Sequence, residues 1–370
     1  MKNKLMKSLG LAFSFTAVAT LAACDQETTV NQITVAEIEE FQTAWGEGLV
    51  AISTAFANGE DYVTIAANVL TDLYGHDYND GVVLFNPTIT EDVVFRHSFE
   101  DAASYFIGTS TPLDVIHAED GQGFATNPWI AVNFLNDWQY TFYGETALGM
   151  GTVEITNDAG EITTVEKTMG WLRSEDGSIK LNLHHSAVPH SVLSNNQATE
   201  APATAAINPI TVAELQEFQT AWGEGLVAIS TAFANDEDYV DVAVEVLTGL
   251  YGHEYNDGVV LFNPTITQEE VFRHGIADAA SYFIGTSTPL DVIHDEDGQG
   301  FATNPWTAVN FLNDWQFIIN GETAIGMGTV EITDADGNIT TVEKTMGWLR
   351  ATDGSVRLNL HHSAVPFGDR

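Results

Sequence analysis

Two tandem α+β domains, each a curved antiparallel sheet wrapped over N-terminal helices, follow from three features of the sequence. Apolar residues recur at helical steps early in a unit, strand-like segments follow, and the whole unit occurs twice. Ile33–Pro189 aligns with Ile210–Pro366 at a constant offset of 177, without a gap, and about four positions in five are identical. A repeat this long is a whole domain rather than a solenoid unit. At 44% hydrophobic residues, each copy can fill a core of its own.

Within the first copy, Thr34-x-x-Glu37 is a capping-box start. Val35, Ile38, Phe41, Trp45, Leu49, Ile52 and Phe56 then recur at three- and four-residue steps, which predicts a long amphipathic helix. Gly46 and Gly48 in its middle predict a close approach or a bend. A second helix fits Asp61–Tyr74, with Val63, Ala66, Leu70 and Leu73 inward. Val82–Phe85 reads as a short strand stopped by Asn86-Pro87, and Glu100–Ile107 as a short helix ended by Gly108. Strands are expected at Leu113–His117, Trp129–Asn136, Thr146–Thr156, Ile162–Arg173 and Ile179–Ser186, with turns at Asp158-Ala159-Gly160 and Asp176-Gly177. The copies differ in clusters at 91–93, 98–100, 140–143 and 157–161, which read as exposed segments and turns.

Charge narrows the function classes. Twelve Lys and Arg stand against 52 Asp and Glu, a formal charge of −40, so the field of the chain repels phosphate backbones and anionic headgroups. Nucleic acid is therefore not an expected partner. The single cysteine excludes a disulfide framework and a Cys-rich zinc site, and neither a metal nor a cofactor is implied. Asp334-Ala335-Asp336-Gly337-Asn338 opens like a calcium loop but lacks its closing glutamate, so a hairpin turn is the better reading.

Lys2, Lys4 and Lys7, the apolar run Leu9–Thr20 and Leu21-Ala22-Ala23-Cys24 form a signal-peptide pattern. The last four residues resemble a bacterial lipobox, which implies cleavage before Cys24 and lipidation of its sulfur, a membrane anchor that needs no basic patch. The expected organisation is a lipoprotein signal peptide (1–23), a tether (24–32), copy 1 (33–189), a linker (190–209) and copy 2 (210–366). The expected location is the bacterial envelope, facing the periplasm or on the cell surface. A flexible linker of that length has a span of about 25 Å, enough for the copies to pack side by side as an intramolecular pseudo-dimer.

The order of long helix, second helix, VVLFNPT, the short stretch ending in Arg96, AASYFIG, GFATNPW, long strands and a terminal LHHSAVP resembles the nuclear transport factor 2-like superfamily. Within it, the SnoaL-like and calcium/calmodulin-dependent kinase association-domain branches are the most similar. The resemblance covers nearly all of each copy and implies a cone-shaped domain with its ligand site inside the cone. It implies no single chemistry, because members range from binding modules to isomerases and dehydratases.

Candidate site residues follow from scarcity and position. Arg96 and its copy Arg273 are isolated positive charges that fit an anion or carbonyl anchor, or a buried ion pair. His97 and His274 are their neighbours. Strict alternation along the last strand puts Leu181, Leu183 and His185 on one face and Asn182, His184 and Ser186 on the other. His185 (His362) matches a pocket arginine of the kinase association domain. Met169 and Trp171 (Met346 and Trp348) share a face and are candidate cavity walls. Asp101, Asp114, Asp120 and His117 are candidate bases, but no acid/base pair of fixed spacing is apparent. The expected function is a non-catalytic module that binds a small molecule or a protein. A SnoaL-like isomerase, dehydratase or hydrolase using His97 or an Asp with Arg96 is the alternative, together with a purely structural assembly role.

Overall fold

The computed structural model describes residues 31–88, 90, 93–108, 117, 121, 123–189, 208–265, 267, 271–285, 294, 298 and 300–366. The signal peptide, Cys24, most of the tether, nearly all of the linker, Asp114, Asp120 and all of the expected strand Leu113–His117 except His117 lie outside the described residues.

Two similar α+β domains are present. In the first, α1 (Val35–Ala57), α2 (Tyr62–Leu73), β1 (Leu84–Asn86) and α3 (Phe99–Ile107) precede β2 (Trp129–Phe134), β3 (Gln139–Tyr143), β4 (Thr146–Asn157), β5 (Ile162–Arg173) and β6 (Ile179–Ala187). The second repeats this order as α4 (Val212–Ala234), α5 (Tyr239–Leu250), β7 (Leu261–Asn263), α6 (Ile276–Ile284), β8 (Trp306–Phe311), β9 (Gln316–Asn320), β10 (Thr323–Asp334), β11 (Ile339–Arg350) and β12 (Val356–Ala364).

Each element has a local cause. At the start of α1 the Thr34 hydroxyl accepts from the Glu37 N–H and the Glu37 carboxylate accepts from the Thr34 N–H, the reciprocal cap that the sequence predicts. Its stripe Ile38, Phe41, Trp45, Leu49 and Ile52 is buried against the sheet. Gly46 and Gly48 mark close approaches: a Cβ on Gly46 would lie 3.1 Å from Val132 Cβ, and one on Gly48 3.0 Å from Val69 Cγ1. Arg173 at the end of β5 pairs with Glu37 at 2.9 Å and ties the sheet to this helix.

The sheet runs β1-β6-β5-β4-β2, with β3 also on β4; β1 joins β6 in parallel, so the sheet is mixed. Positions 140–143 differ between copies and were expected to be an exposed segment or turn, but they form most of β3, paired along Thr146–Met150. Copy differences track how freely a side chain can be exchanged, which includes an edge strand. The Asp334–Asn338 run is a hairpin turn, with the Asp334 carboxylate accepting from the Asn338 N–H at 2.9 Å.

Strand alternation fails at one place, and that failure sets the site. A β-bulge between Gly170 and Trp171 leaves Asn182 unpaired, so Trp171 faces Leu181 while Gly170 faces Leu183. Leu181 belongs to the core beneath the helices, and Leu183 to a separate apolar cluster with Leu84, Leu148 and Met150. That cluster also contains Leu261, Ile318, Ile325, Met327 and Leu360 from the second copy. The sheet thus has two apolar faces, one under its own helices and one against the other copy.

Candidate active site

In the first copy a small cavity lies between the sheet and the helices. It has room for about one water, roughly 10 Å³, between Trp45 of α1, Phe85 of β1, Thr88 just beyond it, Tyr105 and Phe106 of α3, and Lys167, His184 and Ser186 of the sheet. Lys167 lies directly opposite Ser186, and His184 opposite Met169, in the β5–β6 ladder. Lys167, His184 and Ser186 therefore project from one face within reach of one another.

The polar atoms form a chain. The Trp45 indole N–H donates to the Tyr74 hydroxyl at 3.1 Å, and that hydroxyl lies 2.9 Å from His184 Nδ1. His184 Nε2 lies 2.8 Å from Lys167 Nζ, which also donates to Ser186 Oγ at 2.5 Å. The second copy repeats it with Trp222, Tyr251, His361, Lys344 and Ser363 at 3.1, 2.8, 2.8 and 2.7 Å. Phe85 stacks on the His184 ring at 4.9 Å and fixes its plane.

Donor counting assigns the direction of the chain. Tyr74 has one hydrogen to give and already accepts from Trp45, so its hydroxyl is satisfied when it donates to His184 Nδ1. The imidazole proton then sits on Nε2 and is donated to Lys167 Nζ, which must be the neutral amine to accept it. Were Lys167 an ammonium donating to Nε2, the imidazole proton would face Tyr74 and the buried hydroxyl hydrogen would lose its acceptor, which costs about 1–3 kcal/mol.

Electrostatics agrees with that geometry. Burial pushes the Lys167 and Lys344 amines down to about 7. Lys167 sits 4.7 Å over the Trp45 ring, a partial compensation for its charged form. Among the described residues it has no carboxylate partner, whereas Arg173 pairs with Glu37 and Lys180 with Asp77 at 3.0 Å. Burial holds His184 well below the usual imidazole range and Tyr74 above the usual phenol range, so the relay runs through neutral groups.

The site residues expected from the sequence lie elsewhere. Arg96 and Arg273 are fully buried, the Arg96 backbone N–H donates to the Phe85 carbonyl at 2.8 Å, and Arg96 is not among the residues lining the cavity. His97 and His274 stack on Phe95 and Phe272 at 5.6 and 5.5 Å, with Nδ1 3.2 Å from the carbonyls of Val83 and Val260. Met169 and Met346 are core residues beside the site. Trp171 and Trp348 pack edge-on against Phe41 and Phe218, and reach a cleft between the copies rather than this cavity. Asp101 and His117 do meet, at 2.7 Å, but the carboxylate also caps α3. Burial works to raise that carboxyl, and hydrogen bonds from Ser98 and His117 outweigh it and hold it low.

His185 and His362 are likewise outside the cavity. Their rings stack on each other across the two copies, centroids 3.9 Å apart and planes within 3°. His185 Nδ1 meets the Thr345 hydroxyl and His362 Nδ1 meets the Thr168 hydroxyl, both at 2.7 Å. The expectation follows from unbroken alternation and from the match of His185 to a pocket arginine of the kinase association domain. The bulge and the second apolar face reverse it, and His184 enters the cone. A lysine alternating with Val165, Met169 and Trp171 along the strand VEKTMGW was the available signal for Lys167.

Both copies, residues 36–188 and 213–365, match the family model of metal-independent carbonic anhydrases. A metal-independent carbonic anhydrase of Nostoc sp. strain PCC 7120 is 39% identical over 174 residues, which are 46% of this chain and 81% of that protein. The crystal structure of a cyanobacterial iota-carbonic anhydrase complexed with bicarbonate is 37% identical, covering 45% of this chain and 99% of that one, with a TM-score of 0.39. A putative dehydratase of the NTF2-like family from Streptomyces avermitilis is 17% identical over 42% of this chain and 94% of its own, with a TM-score of 0.28. Structural neighbours of the expected superfamily are thus present, but the family matches correct the finer assignment. They overturn the non-catalytic binding module and its isomerase, dehydratase and assembly alternatives: the chain belongs to the metal-independent carbonic anhydrase family.

Proposed function

We propose that the chain hydrates carbon dioxide reversibly to bicarbonate, with one active site in each copy. The observation that carries this reading is the buried Trp45–Tyr74–His184–Lys167–Ser186 chain at the cavity wall, repeated in the second copy, in a member of a family named for this activity. The Lys167 amine takes a proton from a water in the cavity as the water oxygen attacks the carbon of CO2. The new bicarbonate receives hydrogen bonds from the resulting ammonium and from the Ser186 and Thr88 hydroxyls. The Ser186 oxygen accepts from Lys167, which leaves its own hydrogen to give. The Lys167 proton then passes to solvent buffer. An apolar wall of Phe85, Phe106, Ile155 and Val165 suits CO2 before reaction, and the polar end suits the anion after it.

Loss of 18O from labelled bicarbonate, followed with the purified chain in chelator-treated buffer, tests this. Catalysis well above the buffer rate is expected, and a rate equal to buffer overturns the reading.

We further propose that the two copies work as a fixed pair. The shared leucine and methionine cluster supports this, as do the hydrogen bonds from Asn86 to Glu343 and from Asn263 to Glu166, each 2.7 Å. Separately expressed copies should associate when mixed; copies that stay apart would refute the pairing. Attachment to an envelope membrane through Cys24 is proposed on the residues Leu21–Cys24, and failure to incorporate labelled palmitate would refute it.

A further inference from the structure

We infer that Lys167 and Lys344 also bind CO2 covalently, as carbamates, so that the site carries its own CO2-dependent modification. The inference rests on the proposed CO2-handling role of the same cavity.

Carbamate formation needs an uncharged amine that CO2 can reach and that water does not flood. A neighbouring carboxylate favours the charged form of a lysine, and Lys180, by contrast with Lys167, lies 3.0 Å from Asp77. Lys167 is 3% exposed, lines the cavity, and accepts a hydrogen bond in the arrangement that gives the Tyr74 hydroxyl and the His184 imidazole N–H each an acceptor. Among the described residues, the groups around it are His184 and Ser186 from β6 and Trp45 from α1, with Tyr105 from α3 across the cavity and Tyr74 bonded to the far side of His184, and none is a carboxylate. Burial lowers its proton affinity to the neutral range, so the amine form is populated where an exposed lysine's is not.

The step balances without a co-reactant. The Nζ lone pair attacks the CO2 carbon and forms an N–C bond, and one C–O π pair moves onto oxygen. One N–H proton leaves to solvent buffer, giving a carbamate anion. The lone pair that accepted from His184 Nε2–H is now in the new bond, which frees that N–H for a carbamate oxygen. The Ser186 hydroxyl serves the other oxygen. These are the donors assigned to bicarbonate, so carbamate and bicarbonate compete for one place, and the modified site loses its base. High CO2 would therefore silence the site reversibly.

The full chain equilibrated with 13CO2 at pH 8, alkylated with triethyloxonium, digested and mapped by mass spectrometry reads this directly. Label is expected on Lys167 and Lys344, at several-fold lower yield at pH 6, and not on Lys180. Absence of label from both lysines, or equal label on Lys180, overturns the inference. Hydration is measured on the same sample: hydration without adduct removes the carbamate and leaves the enzyme, while adduct without hydration removes the enzyme and leaves the carbamate. Mapping the unmodified chain needs no variant to fold; Lys167→Met should remove label from its own position and leave it on Lys344, and label lost from both would count against two independent sites.

Discussion

His184 and His185 are neighbours in the chain and opposites in the fold. Both are almost fully buried, and burial pushes both imidazoles well below the ordinary range. His184 has different partners on its two nitrogens, a tyrosine hydroxyl and a lysine amine, so its hydrogen bonds have a direction and end on a reactive group. His185 meets its own copy His362, ring on ring, with threonines placed symmetrically. Burial and a depressed pKa are common to both, so they do not identify a catalytic group. What separates the two is the chemical asymmetry of the partners.

Substitutions on the two sides of the strand pair should therefore behave differently. The largest effect is expected from Lys167→Met with Lys344→Met, which removes the base from both sites: hydration should fall by about 10²–10⁴-fold, measured by stopped flow. Either substitution alone should leave roughly half the rate, because the other copy has a complete relay; loss of all activity from one would show that the sites are not independent.

Stability should move the other way. Lys167 has its proton affinity lowered in the fold from 10.5 to about 7, so the unfolded chain binds more protons between those values. The lysine therefore destabilises most below pH 7, and the penalty fades as pH rises toward 10.5. Lys167→Met should increase the unfolding free energy more at pH 6 than at pH 10, by up to roughly 5 kcal/mol per site at the acid end, read in denaturant unfolding. A stabilisation that does not vary with pH would contradict a buried amine.

Tyr74→Phe is expected to act more mildly. It deletes the donor that favours the amine state, so the rate should fall and the midpoint of the pH–rate profile should rise; an unchanged midpoint would show that the relay does not set the lysine's protonation. On the interface side, His185→Leu with His362→Leu leaves the Thr168 and Thr345 hydroxyls without these partners. A loss of about 1–3 kcal/mol per hydroxyl is expected in denaturant unfolding, with hydration within a few-fold of the parent. A collapse of hydration in a folded variant would mean that the interface histidines act on the chemistry.

The sequence carried the class of the fold and most of its elements, because capping residues, helical stripes and turn signals are local. It carried the site poorly for two physical reasons. One extra residue at Asn182 inverts every later side chain of β6, and no local signal distinguishes that bulge from a regular strand. The apolar face holding Leu183 and Leu148 packs on the other copy, and apolarity alone cannot say which of two faces lies inside the cone. Scarcity of positive charge was informative, but it pointed first to Arg96, which is buried away from the cavity, rather than to Lys167 seventy-one residues on.

The most direct test of two lysine-centred sites is the rate of CO2 hydration against pH for the parent chain and for Lys167→Met/Lys344→Met. A parent rate that rises through pH near 7, as the amines lose their protons, and a double variant slowed at least about a hundredfold are the predicted results. A double variant that keeps the parent rate and profile would contradict the account.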